Sequence, residues 1–365
     1  MSHSRFRHHT GLLKALLPAL VLMAAVSACD CECCDCDDPG GDNGWIWYRT
    51  KVEAKYDREW YIPVTPRHDW TAEWPADMGI TPKDLEHPMP EGLRVVTFAS
   101  DGDVRSYNME PQGGDVPMTQ FTNNLLFYNN DTEFIVIENP EDFAEATATT
   151  RARNPGVYSG NSSVGTDARS ETVRSQPDML FRAALSEQQT DSTITKIIND
   201  PKELHIIPVT LTPAVYTYAI HFNFDKGFEY VLSGAVAMTG MASGVKLSTG
   251  RTLEEPCTIM FDLEKTEKGL TGVMMSFGAP GYRDGDELYE PKGRYGITLQ
   301  LVLTNGKHIS YSTEVTEQMS SQPAGGVVIV GGIEVSEEDA KPEGGGAFDV
   351  EVDPWGEPSD FEIIL

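Results

Sequence analysis

The densest group of reactive side chains is the run Cys29 to Cys36, CDCECCDC, which holds five of the chain's six cysteines. Cys31, Cys33, Cys34 and Cys36 have overlapping C-x-x-C spacings, and four thiolates suit zinc or copper(I). Structural zinc sites, however, bring two such knuckles together from separate segments, and one short run does not provide that. Cys33 and Cys34 are adjacent, so their Cα atoms lie about 3.8 Å apart, short of the usual disulfide span. Other pairings among the four stay open in an oxidising compartment. Disulfide and metal are therefore the alternatives for these thiols.

Cys29 differs from its neighbours in what precedes it. The first ten residues carry Arg5 and Arg7 and no acid, and from Ala15 to Ala28 there is no charge. That apolar run is too short to span a bilayer, which takes about 20 residues. A basic start, a short apolar stretch and small residues before a boundary predict a secretory signal over 1–28. The boundary Val26-Ser27-Ala28-Cys29 resembles the bacterial lipobox. It implies a diacylglycerol on the Cys29 thiol and an amide-linked acyl chain (palmitate-type) at the new N-terminus. Residues 29–44 are acidic, Cys- and Gly-rich, and read as a tether without a core of its own. Acids directly after the lipidated cysteine resemble an export signal to the outer face of the outer membrane, although a plain solvated spacer has the same composition.

Loss of 1–28, which holds Arg5, Arg7 and Lys14 and no acid, takes the net charge from −28 to −31, 25 basic against 56 acidic groups. So negative a chain repels phosphate backbones, which excludes nucleic acid as a partner.

Other candidate chemistry is thin. There is no G-x-S-x-G elbow, P-loop or H-E-x-x-H, and the expectation is a protein that is not an enzyme. His68, His87, His205, His221 and His308 stand alone in the sequence and read as surface or strand residues. Asp284, Asp286 and Glu287 surround Gly285. They offer hard oxygen ligands for a structural calcium, but lack the EF-hand order and read first as a turn. No cofactor is otherwise expected. Cys257 opens an apolar strand as a small hydrophobe. Trp45, Trp47, Trp60, Trp70 and Trp74 cluster early in the folded part, where they serve either packing or stacking on sugars.

The elements that must position these groups are mostly strands. GLRVVTF (92–98) precedes an Asp-Gly turn, and NLLFYNNDTEFIVI (124–137) reads as two strands joined by Asn-Asn-Asp. Asn139-Pro140 with Glu141 and Asp142 predicts a short helix over the residues that follow, and 154–176 an exposed loop. In YTYAIHFNF (216–224) alternation predicts one buried and one outward face. CTIMFDL and TGVMMSF follow as strands, and 295–315 as a hairpin turning at Asn305-Gly306 in type I′. An all-β chain of two tandem antiparallel β-sandwich domains with few short helices is the expected fold. Its expected divisions are 1–28 signal, 29–44 tether, 45–200 and 201–322 sandwiches, and 323–365 terminal strands with an acidic Gly-rich spacer. The apolar tail 345–365 is expected to add to a sheet edge, its own or a neighbour's.

Taken together, the lipobox, GLRVVTF, YNNDTEF, TRAR, PDMLF and the closing DVEVDPWGEPSDFEI resemble Bacteroides-type fimbrillin and fimbrial anchor (minor pilin) lipoproteins. The resemblance implies transthyretin-like seven-stranded sandwiches. It also implies an outer-membrane surface location through lipid on Cys29, and pilin partners joined by strand addition in pilus assembly or adhesion. The extra cysteines depart from that pattern. A glycan-binding surface lipoprotein of a polysaccharide-uptake system, using the tryptophans, is the alternative.

Overall fold

The computed structural model describes residues 46–61, 69–70, 72, 74–153, 171–186, 203–286, 289–291 and 293–341. The signal, the tether with Cys29, Cys31, Cys33, Cys34 and Cys36, and Trp45, His68, Glu287 and the tail beyond Lys341 lie outside them.

The described chain is built from β-strands with a few single-turn helices. In the first layer system the strands are β1 (Trp47–Tyr56), β2 (Leu93–Ala99), β3 (Val104–Met109), β4 (Met118–Thr119), β5 (Thr122–Asn129), β9 (Phe181–Ser186) and β10 (Leu204–Pro213). They run in the order β3-β2-β5-β9-β10-β1-β4. Only two residue pairs join β9 to β10, so the path folds over there into two layers. Val52, Leu93, Val95, Leu125, Phe127, Phe181, Ile207 and Leu211 meet in one buried core between them. In β1, Tyr48, Thr50 and Val52 point inward and Arg49, Lys51 and Glu53 outward, the alternation of a half-buried strand.

The second system has β11 (Tyr216–Lys226), β12 (Val231–Ala242), β14 (Pro256–Lys265), β15 (Gly269–Ser276), β16 (Gly296–Leu303), β17 (His308–Glu314) and β18 (Gly326–Glu334). The order is β17-β16-β12-β14-β15-β11-β18, with the short β8 (Thr172–Arg174) added to β14. It bends at the β14–β15 hairpin, and Tyr218, Phe222, Met238, Ile259, Leu299 and Val328 fill the core. A third, small sheet, β13 (Gly244–Lys246), β7 (Thr147–Thr150) and β6 (Ile135–Glu138), binds the two halves together. The all-β, sandwich-type fold expected from the alternation is therefore present. Three pairings, β1 with β10, β11 with β18 and β8 with β14, are parallel within it.

Several local expectations differ from the structure. The helix after Asn139 is absent. Asn139 adopts a left-handed φ of 51°, Asp142 accepts from the amides of Ala144 and Glu145 in a tight turn, and Thr147–Thr150 then forms β7. A run of three threonines and an alanine, all buried, favours the pleated surface over a helix. Of the expected loop 154–176, residues 154–170 lie outside the described ones, and Val173, paired with β14, and Ser175, hydrogen-bonded to Arg151 and Arg153, are buried rather than exposed. The strands on either side of Asn129-Asn130-Asp131 join different sheets rather than each other. At the β16–β17 turn only Gly306 has positive φ (84°), whereas type I′ needs two such residues. Leu303 N–H donates to Lys307 O, which makes a longer loop with a bulge. Finally, β10 hydrogen-bonds into the first system, so the chain crosses from one to the other between Pro213 and Tyr216 rather than at 200.

Candidate functional site

Two features outside the sandwiches gather distinctive side chains. The first is the long connection from β1 to β2. It leaves the first sandwich and lies across the outer face of β11 and β18. Trp70, Met78 and Leu85 are buried there with Ala219 and Val327, flanked by Trp60, Trp74 and Ile80. Trp60 donates its indole N–H to Thr217 O at 3.1 Å, and Trp74 donates to Ile80 O at 2.9 Å. The two rings meet edge to face, 5.9 Å between centroids. Thr81 and Asp84 form a reciprocal cap on the short turn Pro82–Leu85. The Asp84 carboxylate accepts from Thr81 N–H and Oγ1–H, which holds it below the usual carboxylate range.

Under this loop lies His221, fully buried on β11. Its Nδ1 is 2.7 Å from Thr271 Oγ1, and Thr271 donates to Met78 O at 2.6 Å. The same hydroxyl proton cannot serve both, so Nδ1 carries the hydrogen and Thr271 accepts it. Nε2 lies 3.0 Å from the Asn223 amide at Oδ1, and a neutral ring with its hydrogen on Nδ1 accepts there once that amide is turned so that its nitrogen donates. Desolvation holds the imidazole below the ordinary histidine value, opposed by Asp77 and Asn223. This is a clasp between sheet and loop, and it explains why the face of β11 expected to meet solvent is covered. Sequence reasoning missed it. The signal available was that this face carries Thr217, Ala219, His221 and Asn223, with no charge among them.

The second feature is a cleft of about 640 Å³ between the small sheet and the bend of the second system. Phe134, Met179, Met260, Phe261, Val273 and Met275 supply its apolar walls, and Arg153, Asp131, Asp178 and Asp262 its polar ones. Two of the carboxylates are engaged by backbone: Asp178 accepts from the amides of Glu133 and Phe134, and Asp131 from Glu91 N–H. Its volume falls within the ordinary range for ligand sites.

The remaining sequence candidates are placed as follows. His87 is buried edge-on against Phe181, and His205 and His308 lie on β10 and β17. Cys257 is buried in β14 as a free thiol, pushed up to about 12 by desolvation, and so carries no nucleophilic thiolate. Asp284 and Asp286 stand on a turn with Gly285 at φ 76°. Asp286 pairs with Arg251 at 3.3 Å, and among the described residues no group of three or more His, Cys, Asp or Glu is placed to hold a metal. Trp47 stacks under the Arg105 guanidinium at 4.6 Å.

Residues 81–262 match the family described as Domain of unknown function (DUF5119), a span that begins in the loop over β11 and ends in β14. A Bacteroides ovatus protein designated the fimbrium anchoring subunit Fim4B is 22% identical over 307 residues, covering 75% of this chain and 85% of that protein. A solved structure designated an adhesin from Bacteroides ovatus aligns with 79% of this chain and 93% of its own at 18% identity, TM-score 0.49. A fimbrial assembly protein from Parabacteroides distasonis aligns with 79% and 91% at 11% identity, TM-score 0.31. The chain is thus similar over most of its length to a Bacteroides fimbrium anchoring subunit, and its segment 81–262 matches the DUF5119 family model.

Proposed function

We propose that the chain is a non-enzymatic surface lipoprotein acting as a fimbrial anchor or accessory pilin, in pilus assembly or adhesion. The observation that carries this reading is the similarity to the fimbrium anchoring subunit across most of both chains. The Val26-Ser27-Ala28-Cys29 boundary agrees with it, since an anchor needs a membrane attachment and a lipid on Cys29 supplies one without charge contact. The outer membrane, facing the exterior, is the matching location, and pilin subunits joined by strand addition are the matching partners. A fold divided near residue 214, where the chain changes sheets, suits a protein assembled from two sandwich modules behind a short tether.

The glycan-binding alternative draws no support from Trp60, Trp70 and Trp74. Trp70 is buried, and Trp60 and Trp74 are occupied with each other and with the outer face of β11 and β18. None of these three presents an open ring to stack on a sugar. Affinity capture from intact cells of the native host, with the full chain as bait, should recover pilin-type subunits and leave added polysaccharide in the supernatant. Retention of polysaccharide with no pilin would replace this reading by the alternative.

A further inference from the structure

The cleft beside the small sheet has its floor on the outer face of β14 and β15. Alternation turns Met260, Asp262, Val273 and Met275 toward it, while Ile259, Leu263 and Met274 pack in the core. Phe134 and Met179 stand as walls. Phe134 is 40% and Val273 38% exposed, and Met89, next to the lining Pro88, is 41% exposed. Single exposed apolar side chains are ordinary, but three gathered at one concavity mark a contact surface. The thioethers of Met179, Met260 and Met275 let such a surface fit guests of differing outline.

Charge narrows what the guest can be. Asp131, Asp178 and Asp262 line the cleft, and Arg153 is the cation set against them. Asp131 accepts Glu91 N–H on one oxygen and the Asn129 amide on the other. Asp178 accepts the amides of Glu133 and Phe134 on Oδ2, which leaves Oδ1. Asp262 makes no hydrogen bond or ion pair among the described residues. Arg153 turns its Nε toward Ser175 Oγ at 3.1 Å. Hydrogen bonds hold the carboxylates in place without cancelling their charge, so the cleft keeps an excess of negative charge and one open carboxylate beside an apolar floor. A cation on an apolar stem meets both demands, with the stem along the methionines and the head at Asp262. Arginine fits better than lysine, because a planar guanidinium takes both carboxylate oxygens and lies flat on an aromatic face such as Phe134. The open walls set the size of the guest's body. A small free ligand is normally enclosed over about 70–90% of its surface, whereas a side chain projecting from a larger surface closes the rim with that surface.

We propose that the cleft docks an arginine-bearing apolar segment of a partner protein, with Asp262 as its counter-ion and Phe134, Met260 and Met275 around the stem. The net charge of −28 draws such a cation from a distance, and Arg153 on the rim weakens its hold. The contact needs no free sheet edge, so it is separate from strand addition, and it does not depend on the fimbrial reading.

Calorimetric titration of residues 29–365 with three capped pentapeptides, Leu-Arg-Leu-Arg-Leu and its Gln and Glu counterparts, tests it. The Arg peptide should bind about tenfold or more tightly than the Gln peptide, and the Glu peptide most weakly. Asp262→Asn, an isosteric change at an exposed position, should weaken the Arg peptide about tenfold and leave the Gln peptide unchanged. Glu53→Gln, the same charge change on β1, should alter neither. Phe134→Ala should weaken both, and Arg153→Gln should tighten the Arg peptide alone. No binding of the Arg peptide, equal binding of the Arg and Gln peptides, or equal losses in Asp262→Asn and Glu53→Gln overturns the proposal. Preference for the Glu peptide overturns it by assigning the cleft to an anion at Arg153. Acetyl-arginine amide binding as tightly as the Arg peptide overturns it in favour of a small ligand. Self-association of the chain that Asp262→Asn abolishes overturns it in favour of a second copy. Neither pilin nor lipid takes part, so failure leaves the fimbrial reading standing.

Discussion

His221 and His87 show how burial converts a solitary histidine into a pH-dependent element of stability. Desolvation is the first cause in both, and both are held below the ordinary value of 6.5. Asp57 pulls His87 upward and Arg58 downward, while Asp77 pulls His221 upward without reversing the shift. The folded chain consequently binds fewer protons than the unfolded chain in the mildly acidic range. By linkage, the stabilisation that neutral imidazoles provide is complete above the unfolded value. It is lost progressively as pH falls through that value toward the depressed folded ones. The urea midpoint should therefore drop between pH 7.5 and pH 5, and His221→Gln should flatten that drop. An identical pH dependence in the variant would show that His221 does not contribute. Glycine 306 belongs to the same scale. Its neighbour Asn305 has no positive φ, and its side chain accepts from Lys307 N–H and donates to the carbonyls of Asp339 and Lys341. Dipeptide statistics do not encode such a long-range demand.

Among the elements, β11 separates what local pattern encodes from what it leaves out. Period-two alternation located the strand and the face that packs with Met238 and Leu299. It also implied a wet opposite face, and that face is covered because a loop of the first half crosses over it. Alternation reports only that two faces differ, and Thr, Ala and His are compatible with either water or a polar-lined contact. The same limit explains β7, where a good helix-start sequence lost to pairing with β6 and β13, a tertiary gain invisible from Asn139-Pro140. Strands with strong alternation or β-branched runs, β2, β14, β15, β16 and β17, were legible for the converse reason. The cleft was not legible at all, since it arises from three segments distant in sequence. If the loop holds to β11 mainly by apolar burial, Trp70→Ala should cost about 3–5 kcal/mol. Urea unfolding followed by tyrosine and tryptophan fluorescence measures it. A loss below about 1 kcal/mol would mean that the hydrogen bonds from Trp60 and Thr271 hold the loop without the ring.

For the whole molecule, the proposed lipoprotein reading rests attachment on one of five cysteines that differ in what precedes them. Only Cys29 follows a small uncharged residue, Ala28. Cys31, Cys33 and Cys36 follow Asp30, Glu32 and Asp35, and Cys34 follows Cys33. Processing before a lipidated cysteine requires small side chains on its N-terminal side, and a carboxylate there would have to be desolvated in the processing site. On the proposed reading, lipid at Cys29 would contribute about 0.8 kcal/mol per buried methylene. Two or three acyl chains bind a bilayer firmly where one does not, and a chain that carried net charge −31 after the proposed processing would have no electrostatic route to an anionic membrane. Cys29→Ala should accordingly shift the protein from the membrane to the soluble fraction, or leave it with residues 1–28 uncut, as judged by fractionation and intact mass. A variant with Cys31, Cys33, Cys34 and Cys36 all changed to Ser should remain in the membrane fraction with an unchanged acyl mass. Its only loss should be whatever disulfide or metal the four thiols hold. Lipid retained in the first variant and lost in the second would move the attachment into the tether and undo the assignment of Cys29.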